Sequence, residues 1–523
     1  MINLTTILDS IVNNIKNIMN FSTSHLKFED LPEVNFILKM SITTYNLCVV
    51  IILVLFLINC FYDLFFNNIS NFDKKFKYVN YVIISSILVV LFFKLYLTLK
   101  VESIVGTFFY DIKKNFYSNN NNLTFFESFI TVTSSFSDSI LILSIFVGII
   151  CLDLLGSKNL FSKFSNLTIF YLFSFFVITM VSTDNLLIMF ISFEFIFLPT
   201  IYFAYTKGYS KKIDIASEIL IYWTLFGSFL VLCNLSYLYY QYNTLNWLYL
   251  VNKKFSQTEL IILFLNFLLG FGIKIPLAPL HYWLLKVHVE APTAFSIYLS
   301  GFLVKSALYC LYMFLSVFND TNLYLLLTVW VIYSLIISTL GFSRQVDIKK
   351  LIAWATVQEM SFMLFFLTLK QLFLLHTCII FIVLHGLMSS YMFYIVDILQ
   401  RRFKTRSLFY IKGLNLLFPE ITKYIWYLIL LFSGFPLTVK FFLEWSIVSL
   451  LIESNKFILL IILFFLNFLG VIFFCKVLFN IIYGSPNIEK GELDICDIQK
   501  KEKYILNSLL FFISMLFFFI FTI

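Results

Sequence analysis

Charge is the first thing this sequence has little of. Only 13% of its 523 residues are Asp, Glu, Lys or Arg, about half the ~25% typical of a soluble domain. With a mean hydropathy of +0.92, that deficit excludes an ordinary water-soluble globule. Glycine is scarce too, with 15 residues against a usual share of about 7%. Its 8 cysteines are scattered, mostly inside apolar segments, and none forms a CxxC pair. Such spacing argues against a disulfide scaffold, a zinc site and iron–sulfur ligation. Short alternating segments of the β-barrel kind are missing. No phosphate loop, haem pair, flavin fingerprint or nucleophile triad is legible, so the chain itself is expected to hold no redox cofactor and no metal.

What remains is a succession of apolar runs near 20 residues long. Within a bilayer the backbone must satisfy its own hydrogen bonds, so such runs are helices. The reading is an all-α polytopic membrane protein of about fourteen spans: 43–66, 79–98, 134–155, 166–183, 185–206, 213–240, 258–288, 293–317, 322–342, 348–369, 372–400, 424–453, 456–484 and 504–522. Ahead of them, Leu4, Ile7, Leu8, Ile11, Val12, Ile15 and Ile18 share one helical face, the pattern of an interfacial or partner-docking helix. "NFYSNNNNLTFF" at 115–126 reads as a low-complexity loop. The net charge of +8 comes from basic residues gathered in short loops such as "KGYSKK", "RQVDIKK" and "QRRFKTR". That is a topogenic pattern and not a nucleic-acid surface. Lys and Arg number roughly 20 in the loops after odd-numbered spans and roughly 10 on the other side, which places the odd loops in the matrix or cytoplasm.

Two spans are interrupted by Gly and Pro at mid-depth: the seventh by "GFGIKIP" and the twelfth by "FSGFPLTVKFF". Pro276 and Pro436 are 160 residues apart, Glu194 and Glu359 165, Lys274 and Glu444 170. Three nearly equal offsets predict two inverted five-helix repeats, 166–317 and 322–484, with discontinuous seventh and twelfth helices. The expected organisation is then 1–42 as an N-terminal amphipathic segment, 43–155 as N-terminal spans, the two repeats, and 485–523 as a matrix-side loop and last helix.

Seven ionisable residues fall inside apolar spans: Glu194, Lys274, Lys305, Glu359, His385, Lys440 and Glu444. Each costs about 2.5–3.5 kcal/mol at mid-bilayer even on a lenient scale. Helix packing alone is better served by Gly, Ser and Thr, so the set is read as a hydrated or paired path. Desolvation favours a neutral lysine, and a nearby carboxylate favours a charged one. At an effective dielectric of about 20 and 4 Å that attraction is about 4 kcal/mol. Moving a Glu relative to a Lys therefore loads or unloads a proton. Arg344, Lys349 and Lys350 read as topogenic charges, and His281 as a structural hydrogen-bonder. Lys286, His288 and Glu290, near the end of the broken helix, divide evenly between packing and the path.

"HYWLLKVHVEAPTAFSIYLSGFLVKSALY" (281–309) resembles the proton-translocating, antiporter-like subunits of respiratory NADH:quinone oxidoreductase, complex I. So do the segments 197–228, "RQVDIKKLIAWATVQEMSF" (344–362), "LHGLMSSYMFYIVDILQRRFKTR" (384–406) and "GFPLTVKFFLEW" (434–445). The likeness spans about residues 130–485. Glu444 points to the subunit 4 branch, because members resembling subunits 2 and 5 have a lysine there. The resemblance implies Glu194 as the carboxylate partner of Lys274, Lys305 and His385 as relays, and Glu444 as the terminal site. It also implies partner subunits that hold NADH, FMN, iron–sulfur clusters and ubiquinone, with antiporter-like subunits 2 and 5 as neighbours in the membrane lipid. Three positions depart from the family pattern. Leu285 stands where a proline is usual, Glu359 where a histidine is common, and Lys440 where an asparagine is usual. The last two are expected to compensate each other as an added carboxylate and an added cation. The Phe, Asn, Ile and Lys bias fits an AT-rich genome. With no Arg-rich leader legible, it leads to the expectation of an organelle-encoded protein of the mitochondrial inner membrane. The competing reading is a subunit of a multi-subunit cation/proton antiporter of the same fold.

Overall fold

Proline, glycine and capping residues decide where the helices of this chain stop. The computed structural model describes isolated positions between 136 and 148, residues 172–181, and residues 183–520 with short omissions at 208–211, 252, 254, 319–320, 370–371 and 486–496. The amphipathic segment at 4–19, the spans at 43–66 and 79–98 and the Asn-rich loop lie outside the described residues. The first continuous helix among the described residues is α1 (Leu172–Val181). It is followed by α2 (Leu186–Lys207), α3 (Ile213–Tyr242), the short α4 (Trp247–Val251) and α5 (Gln257–Lys274). A capping box starts α5: Ser256 Oγ accepts from the Glu259 amide at 3.4 Å, and the Ser256 amide donates to Glu259 Oε2 at 3.0 Å, so two orphan donors are satisfied.

Pro276 ends α5. Its ring disfavours helix at the preceding residue and offers no amide to continue the ladder. The chain resumes as α6 (Tyr282–Glu290) and α7 (Thr293–Tyr298). A π-helical turn at Leu299–Leu303 then leads into α8 (Val304–Leu315). Next come α9 (Thr321–Phe342), α10 (Ile348–Thr368), α11 (Leu372–Phe403) and the short α12 (Leu414–Leu417). The second interrupted span is α13 (Pro419–Ser433) and α14 (Val439–Glu453), split at Gly434, which takes the left-handed conformation with φ 63°. Finally, α15 (Phe457–Tyr483) and α16 (Lys500–Ile520) close the chain. Both interruptions thus fall at the Gly/Pro sites that the sequence marks.

Seven helical stretches among the described residues are long and apolar enough to cross a membrane. They do not share the work equally. The most apolar stretches of Thr293–Leu315, Ile348–Thr368 and Thr377–Phe403 are buried throughout by their neighbours, whereas only 22% of that of Phe457–Tyr483 is buried. The outward faces of α3, α9 and α15 present Phe229, Leu325, Val329, Phe464 and Phe465, as lipid- or subunit-facing helices do.

Two short backbone bridges recur in the fold. Asn185 pairs with Asn246 and Asp347 with Ser407, both antiparallel. Around the first, the Leu186 amide donates to Leu245 O and the Trp247 amide to Asp184 O. Around the second, the Ile348 amide donates to Arg406 O and the Leu408 amide to Val346 O. Burial raises the Asp347 carboxyl above the ordinary carboxylate range, against the pull of the Arg406 guanidinium 3.7 Å away.

Close helix contacts rest on glycine pairs. A Cβ on Gly227 of α3 would lie 2.8 Å from the Gly270 carbonyl oxygen of α5, and one on Gly270 would lie 2.9 Å from Gly227 O. Backbone cannot yield as a side chain can. Gly227→Val is therefore expected to destabilise the fold by about 1–3 kcal/mol, while Ser236→Ala on the exposed face of the same helix is neutral. Heating solubilised membranes before native electrophoresis and locating the chain by immunoblot measures both.

Candidate functional site

The three wholly buried stretches each carry one of the ionisable residues singled out in the sequence: Lys305 on α8, Glu359 on α10 and His385 on α11. All three are at most 3% exposed. The remaining four sit on α2 and on the half-helices that flank the two breaks.

At the first break, Lys274 is the last residue of α5 and is fully buried. Its ammonium forms an ion pair with Glu194 of α2. Phe190, Phe193 and Phe197 recur at helical spacing along α2, and their ring centroids lie 5.3, 4.6 and 5.4 Å from Lys274 Nζ. One helix face thus supplies both the carboxylate and the aromatic π faces that attract a cation. A break in a helix leaves backbone carbonyls and amides without helical partners, and side chains meet three of them here. Trp283 Nε1 donates to Ile273 O at 2.7 Å, and Trp330 Nε1 donates to Ala278 O at 2.7 Å. The Ala278 amide donates to Ser334 Oγ at 3.3 Å. Side chains of α6 and α9 have filled these sites.

Lys305 lies just beyond the π turn, and its ammonium donates to Ser300 O within that turn. Sequence patterning gives no sign of this widened turn beyond Gly301 in an otherwise regular apolar helix. Cys310, five residues further along α8, lies within electrostatic reach of Lys274 and Glu194. Lys305 itself lies within reach of Glu359. His385 lies within reach of both Lys305 and Lys440.

At the second break, Lys440 occupies the first turn of α14. It donates to Glu359 Oε1 at 2.6 Å and to Phe432 O, at the end of α13, at 2.7 Å. Glu444, one turn along, places Oε1 3.6 Å from the same ammonium. Asn467 of α15 donates to Glu444 Oε1 at 3.0 Å, and Glu444 Oε2 packs against Gly434. The side chains of Glu359 and Lys440 are 4% and 2% exposed, that of Glu444 22%. Glu359 Oε2 and His385 Nδ1 have no hydrogen-bond partner among the described residues. The added carboxylate and the added cation expected to compensate each other are in direct contact.

Other residues fall differently from the sequence reading. Lys349 is not a loop charge. It is fully buried and donates to Ala291 O at 3.1 Å, at the C-terminal end of α6. Arg406 donates to Val289 O on the same helix end, so two cations meet the negative end of the α6 dipole. Nothing in the spacing of "DIKK" separates Lys349 from the half-buried Lys350, because the burial comes from a segment 58 residues away. His281 was expected to be a hydrogen-bonder. Its Nδ1 is buried without a partner among the described residues, and its ring lies 4.8 Å from Trp354. His288 is fully buried, stacked on Phe393 at 4.9 Å. Lys286 is exposed near the Tyr282 ring.

Residues 183–470 match the family model described as NADH:quinone oxidoreductase/Mrp antiporter, TM. The chain is 35% identical over 364 residues to NADH-ubiquinone oxidoreductase chain 4 of Paramecium tetraurelia, covering 69% of this chain and 75% of that one. The chain 4 protein of Acanthamoeba castellanii is 31% identical, with 72% and 76% covered. Among solved structures, a chain of respiratory complex I from Thermus thermophilus superposes with a TM-score of 0.61 at 15% identity, covering 73% of this chain and 83% of that one. A chain of the Mrp complex from Dietzia gives 0.62 at 18% identity, with 67% of each covered.

The contact at the second break makes a stability prediction. Removing one partner of a buried pair costs about 3–5 kcal/mol, because the other charge is left behind. Lys440→Asn alone should therefore destabilise the assembled protein strongly. Glu359→His/Lys440→Asn, which removes both charges of the pair, should recover most of the loss. A double-mutant cycle on thermal dissociation from the native complex gives the coupling energy.

Proposed function

Since the chain belongs to the NADH:quinone oxidoreductase/Mrp antiporter membrane family, we propose that it is the subunit 4 of a proton-translocating NADH:ubiquinone oxidoreductase. The observation that carries this reading is the arrangement of Glu194–Lys274, Lys305, His385 and Glu359–Lys440–Glu444. These buried and half-buried ionisable groups run from one broken helix to the other through the three most enclosed of the described helices. Sequence likeness to the chain 4 proteins of Paramecium and Acanthamoeba supports the subunit assignment.

Protons pass along this line one site at a time. Glu194 holds the Lys274 ammonium. When that carboxylate moves or is neutralised, desolvation drives a proton off the lysine. Lys305, His385 and Glu359 carry it across the centre, and Lys440 and Glu444 deliver it at the second break. The chain supplies only this path. Electron transfer from NADH through flavin and iron–sulfur clusters to ubiquinone takes place in partner subunits. Antiporter-like subunits 2 and 5 flank it in the mitochondrial inner membrane, and the gene is organellar. The full architecture is fourteen spans with two inverted five-helix repeats, and the twin bridges support it. Asn185 and Asp347 are 162 residues apart, Asn246 and Ser407 161. With five spans per repeat, α2 and α10 run in opposite directions.

Two outcomes test this reading. On native gels of mildly solubilised membranes the chain should migrate in a very large NADH-oxidising band. Residence only in a smaller, NADH-inactive assembly would favour the cation/proton antiporter. In the assembled complex, Lys274→Ala should cut NADH-driven proton pumping and quinone reduction together by at least tenfold, with assembly retained. Wild-type turnover in that variant would refute the mechanism.

A further inference from the structure

The second break holds more charge than a single ion pair needs. Two carboxylates, Glu359 Oε1 at 2.6 Å and Glu444 Oε1 at 3.6 Å, face one ammonium on Lys440. Fully ionised, the three groups carry one net negative charge in a site where Glu359 and Lys440 are almost wholly enclosed. An uncompensated buried charge is expensive, and coupled sites respond by sharing a proton that belongs to the group as a whole. The geometry gives the three positions an order. Glu359 faces inward, with Oε2 unpartnered among the described residues and Lys305 in electrostatic reach. Glu444 is the most exposed of the three and lies against the backbone of the break. Lys440 stands between them, seated on the Phe432 carbonyl.

We propose that Glu359, Lys440 and Glu444 form a three-residue proton-release unit in which the Lys440 ammonium alternates between the two carboxylates. This rests on the proton-path reading above and assigns its last step. A proton arriving from the Lys305 side binds the Glu359 carboxylate, which becomes a neutral acid and loosens its hold on Lys440. The ammonium turns to Glu444 and gives it a proton, leaving a neutral amine and a second carboxylic acid. Glu359 then returns its proton to the amine, which restores the starting ion pair. Glu444 releases its proton outward. One proton enters and one leaves, and no co-reactant is needed.

A purely structural cation at position 440 makes a different prediction from one that gives up a proton. Arginine keeps the positive charge and the carboxylate contacts but does not deprotonate. In the intact complex, Lys440→Arg should assemble normally and lose at least tenfold in NADH-driven pumping. Glu359→Gln/Lys440→Gln is a second, charge-balanced variant for use if arginine disturbs assembly. It should likewise assemble and fail to pump, because no carrier remains between the path and Glu444. Wild-type pumping by either assembled variant overturns the proposal. If Lys274→Ala stops pumping while Lys440→Arg does not, the release unit falls and the proton path stands. If Lys274→Ala pumps normally, the path itself falls.

Discussion

An ion in the interior of a membrane has no water to lean on, and the protein must supply its counter-charge. That constraint accounts for most of what surrounds the two broken helices. Each break places a lysine within reach of a carboxylate from a different helix, Glu194 for Lys274 and Glu359 for Lys440. Each lysine also has an aromatic ring within cation–π distance, Phe193 at 4.6 Å and Phe432 at 4.4 Å. The two sites solve the same problem with the same parts. They differ in surplus: the second has an extra carboxylate, and with it a reason to hold a proton.

The enclosure of the central helices follows from the same requirement. Thr293–Leu315, Ile348–Thr368 and Thr377–Phe403 are the helices whose most apolar stretches are buried throughout, and they carry Lys305, Glu359 and His385. Hydrocarbon would meet those charges if any of the three helices lay at the edge. The outer helices, such as α3 and α15, offer Leu, Phe and Ile to their surroundings instead. Placement of helices within the fold and placement of charge within helices are therefore one arrangement.

Much of this was legible beforehand, for identifiable reasons. Proline and glycine leave an unmistakable mark in an apolar run, so both breaks could be placed from residue types. Buried charges stand out against hydrocarbon for the same reason, and the Glu359–Lys440 contact followed from two simultaneous departures from the family pattern. Features set by tertiary packing were invisible. Burial of Lys349 depends on docking of its helix start against the far end of α6. Filling of the first break depends on Trp283 and Trp330, neither of which differs in sequence from an ordinary apolar residue. The π turn before Lys305 leaves hydropathy unchanged.

The twin backbone bridges bear on how such a chain is made. Asn185–Asn246 ties together the two ends of a segment that contains only α2, α3 and their connection, and Asp347–Ser407 does the same around α10 and α11. Each clasp can close as soon as the second helix of its hairpin has been synthesised. Each interrupted span, α5–α6 and then α13–α14, emerges only afterwards. The clasps therefore precede the breaks without completing them: Ala278, in the first break, gains its partners Trp330 and Ser334 only when α9 has followed.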